Sequence, residues 1–552
     1  MRIALAQVNP TVGDLAGNRR LVEEASAKAA SEAADLVVLP EMVLTGYPPM
    51  DLLERDGFVR DQMLQLDALR DASRRVSIAL GAVLPAADAG PTRLINAVVL
   101  LAKGERVAVR AKTLLPTYDV FDEKRYFAPA ERREPVAFGA AGETTLGFAV
   151  CEDAWSSSLD YAIDPVAELA AAGVGAVINP SCSPWHVDKA RARRRMLSEL
   201  AARHGLPIVF VNQVGGNGEL IFDGGSCVAD ARGRIHAALP LFDSGFGVVD
   251  LPTSGAGDAP DDIADPDRVA QLEAGLVLGI RDYFRKQNLP PGAVIGISGG
   301  VDSALTAHLA VEALGPDRVL GIAMPGPFSS EHSIADAEAL ARNLGIEIRR
   351  VDIRPIYEAY LQVFRTLFGE RDDYGIEQQN IQSRIRGAVL MAVSNAEARL
   401  VLATGNKSEL SIGYCTLYGD TVGGLAVLGD VYKRDVYALA RRANASGERI
   451  PERTIEKPPS AELAPGQLDS DDLPDYDTLD AILEQAIEGA RGIESIRAPA
   501  GASAETVRGV LARLDRNEYK RRQAPLVLRT SPKAFGSGRR LPIVHRYEPV
   551  AS

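Results

Sequence analysis

The hexapeptide SGGVDS, Ser298 to Ser303, has the composition and the setting of a phosphate-binding loop. An apolar run, AVIGI, precedes it, and an alanine- and leucine-rich helical pattern follows it. This context predicts a strand, a glycine turn and the N-terminus of a helix, where backbone N–H groups and the helix dipole attract an anion. The loop contains no P-loop lysine, which excludes a nucleoside triphosphatase of that type. A plain turn between a core strand and a helix is the alternative explanation.

Three residues in the first half of the chain carry the chemistry of amide hydrolysis. Glu41 closes the apolar run VVLPE, Lys112 closes VAVRAK, and Cys151 follows TLGFAV. If these strand ends meet, the glutamate can accept the thiol proton, the lysine can stabilise the anions, and the thiolate can attack an amide carbonyl to give a thioester. The backbone N–H of Glu152 would be a second donor to the oxyanion. Taken singly, such a cysteine is core filler, and a glutamate or lysine at a strand end is simply solvated.

The second half adds a hydroxyl, two carboxylates and a cation near the hexapeptide. Thr404 and Glu409 flank a predicted helix start after the strand LVLAT. A carboxylate is the ligand that magnesium takes when it also bridges ATP phosphates, and Asp302 inside the hexapeptide is a second candidate. Alone, Glu409 is equally explained as an acidic residue favoured by the helix dipole. Lys433 can neutralise charge that builds on a pyrophosphate leaving group.

The elements that must position these residues differ between the two halves. The first half is a series of strands, several ending at polar residues, with helical patterns between some of them, which predicts a mixed, layered α/β domain. The predicted strands are RIALAQV, DLVVLPE, VSIALGAVLP, the hairpin LINAVVLLAKGERVAVRAK, TLGFAVCED, GAVINPS and PIVFVNQVG, and the predicted helices are NRRLVEEASAKAASEA and KARARRRMLSELAARHG.

Near residue 250 the composition changes. Residues 251–268 are rich in Gly, Pro and Asp and predict a linker. Beyond them, helices alternate with the short strands AVIGI, RVLGIAMP, IEIRRVDI and LVLATGN, which is typical of a doubly wound parallel sheet. Such sheets bind ligands at the carboxyl ends of their strands, where the hexapeptide would lie. The acidic, proline-containing stretch 461–477 predicts a surface loop or a lid.

Length and composition set the broad class. A chain of 552 residues exceeds the usual size of a single core, so we expect two to four domains. Its 46% hydrophobic and 24% charged residues are typical of a globular protein, and the net charge of −13 argues against a nonspecific nucleic-acid or acidic-membrane partner. No signal peptide or long apolar span is present, which predicts a cytoplasmic location. The four cysteines lack CxxC spacing and are predicted to be reduced thiols.

The longer segments around these residues resemble known families. LPEMVLTGYPPMDLL, AKTLLPTYDVFDEKRYF and CEDAW resemble the Glu-Lys-Cys segments of the nitrilase, or carbon–nitrogen hydrolase, superfamily, and more narrowly the glutaminase domain of glutamine-dependent NAD⁺ synthetases. The resemblance covers residues 1–250 and implies a nitrilase-like α-β-β-α sandwich in which Glu41 is the general base, Lys112 the oxyanion stabiliser and Cys151 the nucleophile. It also implies an auxiliary glutamate and three glutamine-binding residues: Glu123, Tyr118, Ser183 and Lys189. An ordinary turn serine is the alternative for Ser183.

The second half resembles the N-type ATP pyrophosphatases at SGGVDS and the NAD⁺ synthetases over residues 269 to about 540, which implies a synthetase domain at 269–552. Segments such as SSEHSIADAEALARNLGI, NIQSRIRGAVL, KPPSAEL and EYKRRQAPLVL follow the order of that family. The resemblance implies ATP contacts at Ser298, Gly299, Gly300, Asp302, Ser303, Thr404, Lys433 and Ser460. It implies deamido-NAD⁺ contacts at Arg384, Asp420 and Lys520 and Mg²⁺ ligands at Asp302 and Glu409. Arg384 and its neighbour Arg386 are alternatively solvated arginines on a helix face.

Together the two resemblances imply one reaction. A nicotinate carboxylate attacks the α-phosphate of ATP, and ammonia then displaces AMP from the acyl-adenylate to give NAD⁺. Because ammonia is mostly protonated at neutral pH, glutamine hydrolysis at Cys151 and a shielded tunnel would supply the reactive form. The expected partners are small-molecule substrates and a second copy of the chain, with no nucleic acid and no membrane. Two alternatives remain: amidation of another carboxylate, although the GMP and asparagine synthetases that share the loop use other glutaminase folds, and a nitrilase-type amidase whose second half senses nucleotide.

Overall fold

The computed structural model describes residues 1–86, 94–139, 142–156, 159, 161–251, 266–289, 292–370 and 374–547. Within it the chain divides into two compact units, Met1–Pro266 and Asp267–Ser552. Most of the predicted linker, residues 252–265, lies outside the described residues. The domain limits 1–250 and 269–552 therefore stay a prediction.

The described residues of the first unit form two six-stranded sheets, a two-stranded ribbon and four α-helices. Its strands are β1 (Arg2–Gln7), β2 (Leu36–Val38), β3 (Ser77–Pro85), β4 (Leu94–Ala102), β5 (Glu105–Ala111), β6 (Val136–Phe138), β7 (Thr144–Phe148), β8 (Ala176–Ser181), β9 (Ile208–Asn212), β10 (Val214–Asn217), β11 (Leu220–Asp223), β12 (Cys227–Ala229), β13 (Ile235–His236) and β14 (Gly245–Asp250). Its helices are α1 (Leu15–Ser31), α2 (Phe58–Ala68), α3 (Pro165–Ala171) and α4 (Lys189–His204).

The two sheets of this unit pack face to face. Their strand orders are β14-β1-β2-β3-β4-β5 and β13-β12-β9-β8-β7-β6. Side chains alternate across a strand, so Ile3 and Leu5 of β1 join Phe148 in the core between the sheets, whereas Ala4 faces Val22 of α1. A third core lies between the second sheet and the helices α3 and α4. These layers confirm the predicted α-β-β-α sandwich.

The second unit is built on one six-stranded parallel sheet. Its strands are β15 (Gly292–Gly296), β16 (Val319–Ala323), β17 (Glu347–Arg350), β18 (Arg399–Ala403), β19 (Leu425–Ala426) and β20 (Leu526–Val527). Its helices are α5 (Arg268–Lys286), α6 (Val301–Leu314), α7 (Glu331–Leu344), α8 (Arg354–Phe368), α9 (Ile376–Glu397), α10 (Lys407–Ile412), α11 (Lys433–Ala443), α12 (Glu452–Glu456), α13 (Tyr476–Ile487), α14 (Ala504–Arg516) and α15 (Glu518–Arg521).

The order of that sheet explains where its ligand site lies. The strands follow the order β17-β16-β15-β18-β19-β20, and every pair is parallel. The direction of winding reverses between β15 and β18, and a doubly wound sheet opens a crevice at the carboxyl ends of the strands at that point. This confirms the predicted doubly wound sheet and puts the hexapeptide at its switch point.

Glycine at position 299 is dictated by the turn from β15 into α6. Its φ is +80°, and a β-carbon there would lie 2.4 Å from the carbonyl oxygen of Ser333 in α7. Only a residue without a side chain fits this close approach. Among the described residues, no helix is both long enough and apolar enough to cross a membrane.

Candidate active sites

The first candidate site is a buried ion cluster around Lys112. The lysine ammonium donates to Glu41 Oε1 and to Glu123 Oε1, both at 2.8 Å. Glu41 is fully buried, and Lys112 and Glu123 are at most 4% exposed. Burial opposes the charge on Lys112, but the two glutamates outweigh it and hold its pKa well above the ordinary value. The resting cluster is therefore a charged lysine between two carboxyl groups.

Buried amide groups fix the two glutamates. Asn96 of β4 donates from Nδ2 to Glu41 Oε1 at 2.6 Å and to Glu123 Oε2 at 3.3 Å. The backbone N–H of Cys182 donates to Glu41 Oε2 at 3.0 Å, and the hydroxyl of Tyr47 donates to Glu123 Oε1 at 3.0 Å. Each carboxyl oxygen thus has a defined donor, so the glutamates cannot rotate freely. Such preorganisation is what a proton-transfer site needs.

Cys151 lies on a strained turn beside this cluster. The strand β7 ends at Phe148, and residues Cys151–Ala154 form a single 3₁₀ turn in which Cys151 has a φ of +44°. Asp153 holds the turn, because its carboxylate accepts from the backbone N–H groups of Val150 and Leu114. One side chain thereby ties the cysteine turn to the segment that follows Lys112 in the chain.

The pKa of the Cys151 thiol depends on burial and on its charged neighbours. Burial raises the pKa of Cys151 well above the ordinary value, and Glu41 raises it further, while Lys112 opposes the shift. The thiol is therefore neutral at rest, and a nucleophilic thiolate requires a base. Among the charged groups that act on the thiol, Glu41 has the largest effect on its pKa. Burial also raises the pKa of Glu123 to about 7, with Lys112 opposing the shift.

These placements correct one detail of the sequence prediction. The predicted strand ends do not belong to a single parallel arrangement, because Glu41 and Lys112 follow β2 and β5 of one sheet, whereas Cys151 follows β7 of the other. Glu41 and Cys151 also lie three residues beyond the last strand residue. Glu41 and Cys151 therefore lie in the turns that follow their strands. Lys112, in contrast, is the residue directly after β5.

The predicted glutamine-binding residues lie in three different surroundings. Tyr118 is 42% exposed and donates to Glu152 Oε1 at 2.9 Å, a bond that Tyr161 duplicates at the same distance. Ser183 is buried, and its backbone N–H donates to Asn212 Oδ1 at 2.8 Å. Lys189 begins α4, with its ammonium 4.0 Å from the centre of the Trp155 ring.

The second candidate site is a cavity of about 300 Å³ at the switch point of the parallel sheet. Seven of the eight predicted ATP contacts line it: Ser298, Gly300, Asp302, Ser303, Thr404, Lys433 and Ser460. Gly299 does not line the cavity, because its missing side chain lets the loop pack against α7. The hydroxyl of Ser303 bridges the loop, contacting Ser298 Oγ at 3.1 Å and Gly300 O at 3.0 Å.

An ion cluster lies at the mouth of the sheet in this cavity. The ammonium of Lys433 contacts Asp302 Oδ2 and lies 3.4 Å from Glu409 Oε1. Asn406 donates from Nδ2 to Asp302 Oδ1 at 2.8 Å. Burial raises the pKa of Glu409 to about 8, and Lys433 opposes the shift. A third carboxylate, Asp469, also lines the cavity and accepts from the hydroxyl of Tyr476 at 2.8 Å.

The donor set at this cluster fits a hard divalent cation. Asp302, Glu409 and Asp469 supply three carboxylates against the single ammonium of Lys433, and oxygen ligands are those that magnesium prefers. Among the described residues, no three His, Cys, Asp or Glu side chains converge closely enough to hold a metal by themselves. This agrees with magnesium chemistry, since that ion keeps several waters and shares phosphate oxygens with its substrate.

The predicted deamido-NAD⁺ contacts are only partly brought to this cavity. Asp420 lines it, and burial raises the pKa of its carboxyl to about 6. Arg384 is exposed and donates to Leu417 O at 3.2 Å, and Lys520 donates to the carbonyls of Gly413 and Cys415. In place of Arg384, its neighbour Arg386 lines the cavity, donating to Met324 O at 3.1 Å.

Sequence reasoning missed several residues of the two sites. Asn96 is a lone amide inside an otherwise apolar strand, LINAVVLLA, and that interruption was its signal. Asn406 begins the pattern N-x-x-E with Glu409, the sequence of a capping box. The predicted surface loop or lid, residues 461–477, lines the cavity at Ala461–Leu463 and has Asp469 buried. Asp153 and Asp469 carried no signal beyond being acidic.

Comparisons with known proteins agree with this geometry. Residues 2–261 match the carbon-nitrogen hydrolase family, and residues 273–524 match the NAD synthase family. Glutamine-dependent NAD(+) synthetases from Synechocystis and Thermotoga maritima are 42% and 40% identical, with 100% and 99% of both chains covered. A solved glutamine-dependent NAD⁺ synthetase from Acinetobacter baumannii, in complex with ADP, is 37% identical with a TM-score of 0.76, and the match covers 98% of each chain. The chain belongs to the glutamine-dependent NAD⁺ synthetases.

Proposed function

We propose that this chain converts deamido-NAD⁺ to NAD⁺, using ATP and glutamine and releasing AMP, pyrophosphate and glutamate. One observation carries the proposal: a buried Glu-Lys-Glu cluster beside a thiol lies in one unit, and a carboxylate-lined cavity with a phosphate-type loop lies in the other. The Acinetobacter baumannii relative was solved with ADP, which supports a nucleotide in the corresponding family site. The first unit can release ammonia, and the second can activate a carboxylate with ATP. Together these two steps form one amidation reaction.

In the first unit we assign ammonia release to Cys151. Glu41 accepts the thiol proton, and the thiolate attacks the side-chain amide carbon of glutamine. Lys112 donates to the oxyanion, and Glu41 returns the proton to the amide nitrogen as the intermediate collapses, so that the C–N bond breaks, ammonia is released and a thioester remains. Water then cleaves the thioester to glutamate and regenerates the thiol. Glu123 keeps Lys112 charged, and the binding of glutamine falls to Tyr118, Ser183 and Lys189.

In the second unit the carboxylate of deamido-NAD⁺ attacks the α-phosphate of ATP, and the bond to the outgoing pyrophosphate breaks. Ser298, Gly300 and Ser303 hold phosphate oxygens, and Lys433 stabilises the charge on the leaving group. Ammonia attacks the acyl carbon of the adenylate, and AMP departs. Magnesium, which Asp302 and Glu409 would hold, supplies neutralisation of the polyphosphate. Thr404 and Ser460 complete the ATP contacts.

Several further features belong to the same proposal. Asp420, Arg384 and Lys520 contact deamido-NAD⁺, the last two through rearrangement from their present partners. Ammonia passes between the two active sites through a shielded channel, because water would protonate it at neutral pH. We also propose a homo-oligomer and a cytoplasmic location.

The test is a product assay on the intact chain. With deamido-NAD⁺, ATP, magnesium and glutamine, we expect NAD⁺ and AMP in equal amounts, with at least as much glutamate. Omission of deamido-NAD⁺ should abolish AMP formation. Hydrolysis of glutamine at an unchanged rate without ATP or deamido-NAD⁺, with no AMP under any condition, would instead identify an amidase with a nucleotide-sensing second unit.

A further inference from the structure

Asn406 is a fully buried residue to which the proposed reaction assigns no part. It is the first residue before α10, and its side chain makes two hydrogen bonds in opposite directions. Its Oδ1 accepts from the backbone N–H of Glu409 at 3.0 Å, and its Nδ2 donates to Asp302 Oδ1 at 2.8 Å. Its own backbone N–H donates to Glu409 Oε2 at 3.3 Å. One residue therefore contacts both carboxylates assigned to the metal.

The orientation of this amide follows from its partners. The backbone N–H of Glu409 can only donate, so the oxygen of the Asn406 amide must face it. The nitrogen then faces Asp302, which as a carboxylate can only accept. Both bonds are satisfied in this orientation, and both fail if the amide is flipped. Asn406 consequently fixes the direction of one oxygen of Asp302 and leaves the other to Lys433.

The location of Asn406 gives this bond its importance. Asp302 follows β15 and Glu409 follows β18, the two strands between which the sheet reverses its winding. Lys433 also contacts both carboxylates, but it does so as a cation that any competing cation could displace. The side-chain amide of Asn406 is neutral, so it can hold Asp302 at a fixed distance from the backbone of Glu409 while positive charge in the site changes.

We propose that Asn406 is a positioning residue that sets the spacing of Asp302 and Glu409 for a divalent cation bound with the polyphosphate of a nucleotide. The inference rests on the proposed function, because it assumes that these carboxylates meet such a ligand. Asn406 touches neither the nucleotide nor the reacting atoms in this role. It acts through the two carboxylates.

Two substitutions separate positioning from capping. Asn406→Ser keeps an acceptor for the N–H of Glu409, since serine is a good N-cap, but it lacks the donor to Asp302. Asn406→Asp keeps both the size and the acceptor and turns a carboxylate oxygen toward Asp302. We expect Asn406→Ser to raise the half-saturating magnesium concentration about tenfold and to lower ammonia-dependent synthesis about 10- to 100-fold. Asn406→Asp should be more severely affected in both respects.

A binding measurement and a capping control complete the experiment. Magnesium with ATP should raise the unfolding temperature of the wild type and raise that of Asn406→Ser by less than half as much. Ser503→Ala removes the cap of α14, which accepts from Thr506 N at 3.0 Å, and neither residue lines the cavity. It should leave magnesium dependence unchanged. Glutamine hydrolysis should persist in all three variants and reports folding of the first unit.

The outcomes are distinct. Normal magnesium dependence and a normal ligand-induced rise in unfolding temperature in Asn406→Ser would overturn the positioning role. An equal change in magnesium dependence in Ser503→Ala would also overturn it, because the effect would then come from loss of a helix cap in general. If the wild type itself forms no NAD⁺ from deamido-NAD⁺, the proposed function fails, whatever Asn406 does.

Discussion

The two candidate sites contain the same kinds of side chain around a central lysine, and they differ in the distances between the lysine and the acidic residues. Each contains one lysine, one asparagine and two acidic residues: Lys112 with Asn96, Glu41 and Glu123, and Lys433 with Asn406, Asp302 and Glu409. In the first site the lysine lies 2.8 Å from both glutamates. In the second site the ammonium of Lys433 contacts Asp302 Oδ2 directly and lies farther from Glu409 Oε1, at 3.4 Å.

The difference in spacing matches a difference in the ligands. The first cluster balances its charge internally, because Lys112 sits between two carboxyl groups and the pKa of Glu123 is raised to about 7. A neutral amide can react there without an added ion. The second cluster has a third carboxylate, Asp469, and opens on the 300 Å³ cavity, so it retains negative charge that calls for a cation. We therefore assign the same residue types to proton transfer in one case and to phosphate chemistry in the other.

The largest expected effect separates the two sites completely. Cys151→Ala removes the nucleophile, so glutamine-dependent synthesis should fall at least about a thousandfold. The cavity of the second unit is untouched, so high ammonium at mildly alkaline pH, where more free ammonia exists, should restore NAD⁺ formation. The measurement is NAD⁺ production with each nitrogen source. Failure of ammonium to rescue a folded variant would contradict the division of labour, and persistent activity with glutamine would contradict the role of Cys151.

The reciprocal change is made in the second cluster. Asp302→Ala or Glu409→Ala removes charge needed to hold magnesium and the polyphosphate, so synthesis should fall about 100-fold or more with glutamine and with ammonium alike. Glutamine hydrolysis should survive at least in part. Rates are to be compared at saturating ATP and magnesium. Undiminished synthesis in both variants would show that the metal is placed wrongly.

A smaller effect is expected when the amide of the first cluster is removed. Asn96→Ala deletes the donor shared by Glu41 and Glu123, so glutamine hydrolysis should fall about 10- to 100-fold through mispositioning of the base. Ammonium-dependent synthesis should match the wild type, which checks folding in the same preparation. If glutamine hydrolysis is unchanged, Lys112 alone suffices to hold the two glutamates. Asn96 would then have no positioning role comparable to the one proposed for Asn406.

The pH dependence of nucleotide binding tests the charge on the second cluster. Because the pKa of Glu409 is raised to about 8, the ligand-free carboxyl is protonated below that pH, and binding of magnesium with ATP must release the proton. Affinity should therefore rise about tenfold per pH unit from pH 5 to pH 8 and level off above it. The same raised pKa affects the free energy of unfolding. The stabilisation that protonated Glu409 gives the folded chain is complete below the pKa of this residue in the unfolded chain, and it is lost as pH rises through 8. Calorimetry in two buffers measures the proton, and Glu409→Gln should abolish its release.

The smallest effect concerns the exposed edge of the first site. Tyr118→Phe removes one of two hydroxyls that donate to Glu152 Oε1, and Tyr161 retains the other. Loss of one such bond should raise the KM for glutamine about threefold and leave kcat unchanged. Tyr161→Phe is the matched control. A large fall in kcat for Tyr118→Phe would contradict a role of Tyr118 in glutamine binding alone.

The sequence predicted the fold class of both units because that class depends on short-range patterns of apolar residues. The parallel, doubly wound character of the second sheet followed from alternating helices and apolar strands, and Cys151, Lys112 and Glu41 stood out as polar residues after apolar strands. The sequence could not reveal that Cys151 follows a strand of a different sheet from Glu41, because the packing of two sheets leaves no local trace.

The residues that hold others in place were harder to predict. Asn96, Asn406 and Asp153 form hydrogen bonds to partners 27 to 104 positions away, apart from local contacts. An amide or a carboxylate alone does not indicate which partner it has. Arg384 and Arg386 lie two positions apart on α9, and only burial distinguishes the exposed arginine from the one that lines the cavity. Burial on a helix with a weak apolar face depends on tertiary packing, which sequence periodicity does not supply.

The left-handed backbone of Cys151 has an evolutionary consequence. A residue with a β-carbon at a φ of +44° costs about 1–2 kcal/mol, whereas glycine adopts this conformation freely. Glycine would relieve this backbone strain but would lose the packing of the buried Cys151 side chain, and the proposed role of the thiol in glutamine hydrolysis gives a further reason to keep it. In lineages that draw ammonia from their surroundings, position 151 should be among the first of the reactive residues to change.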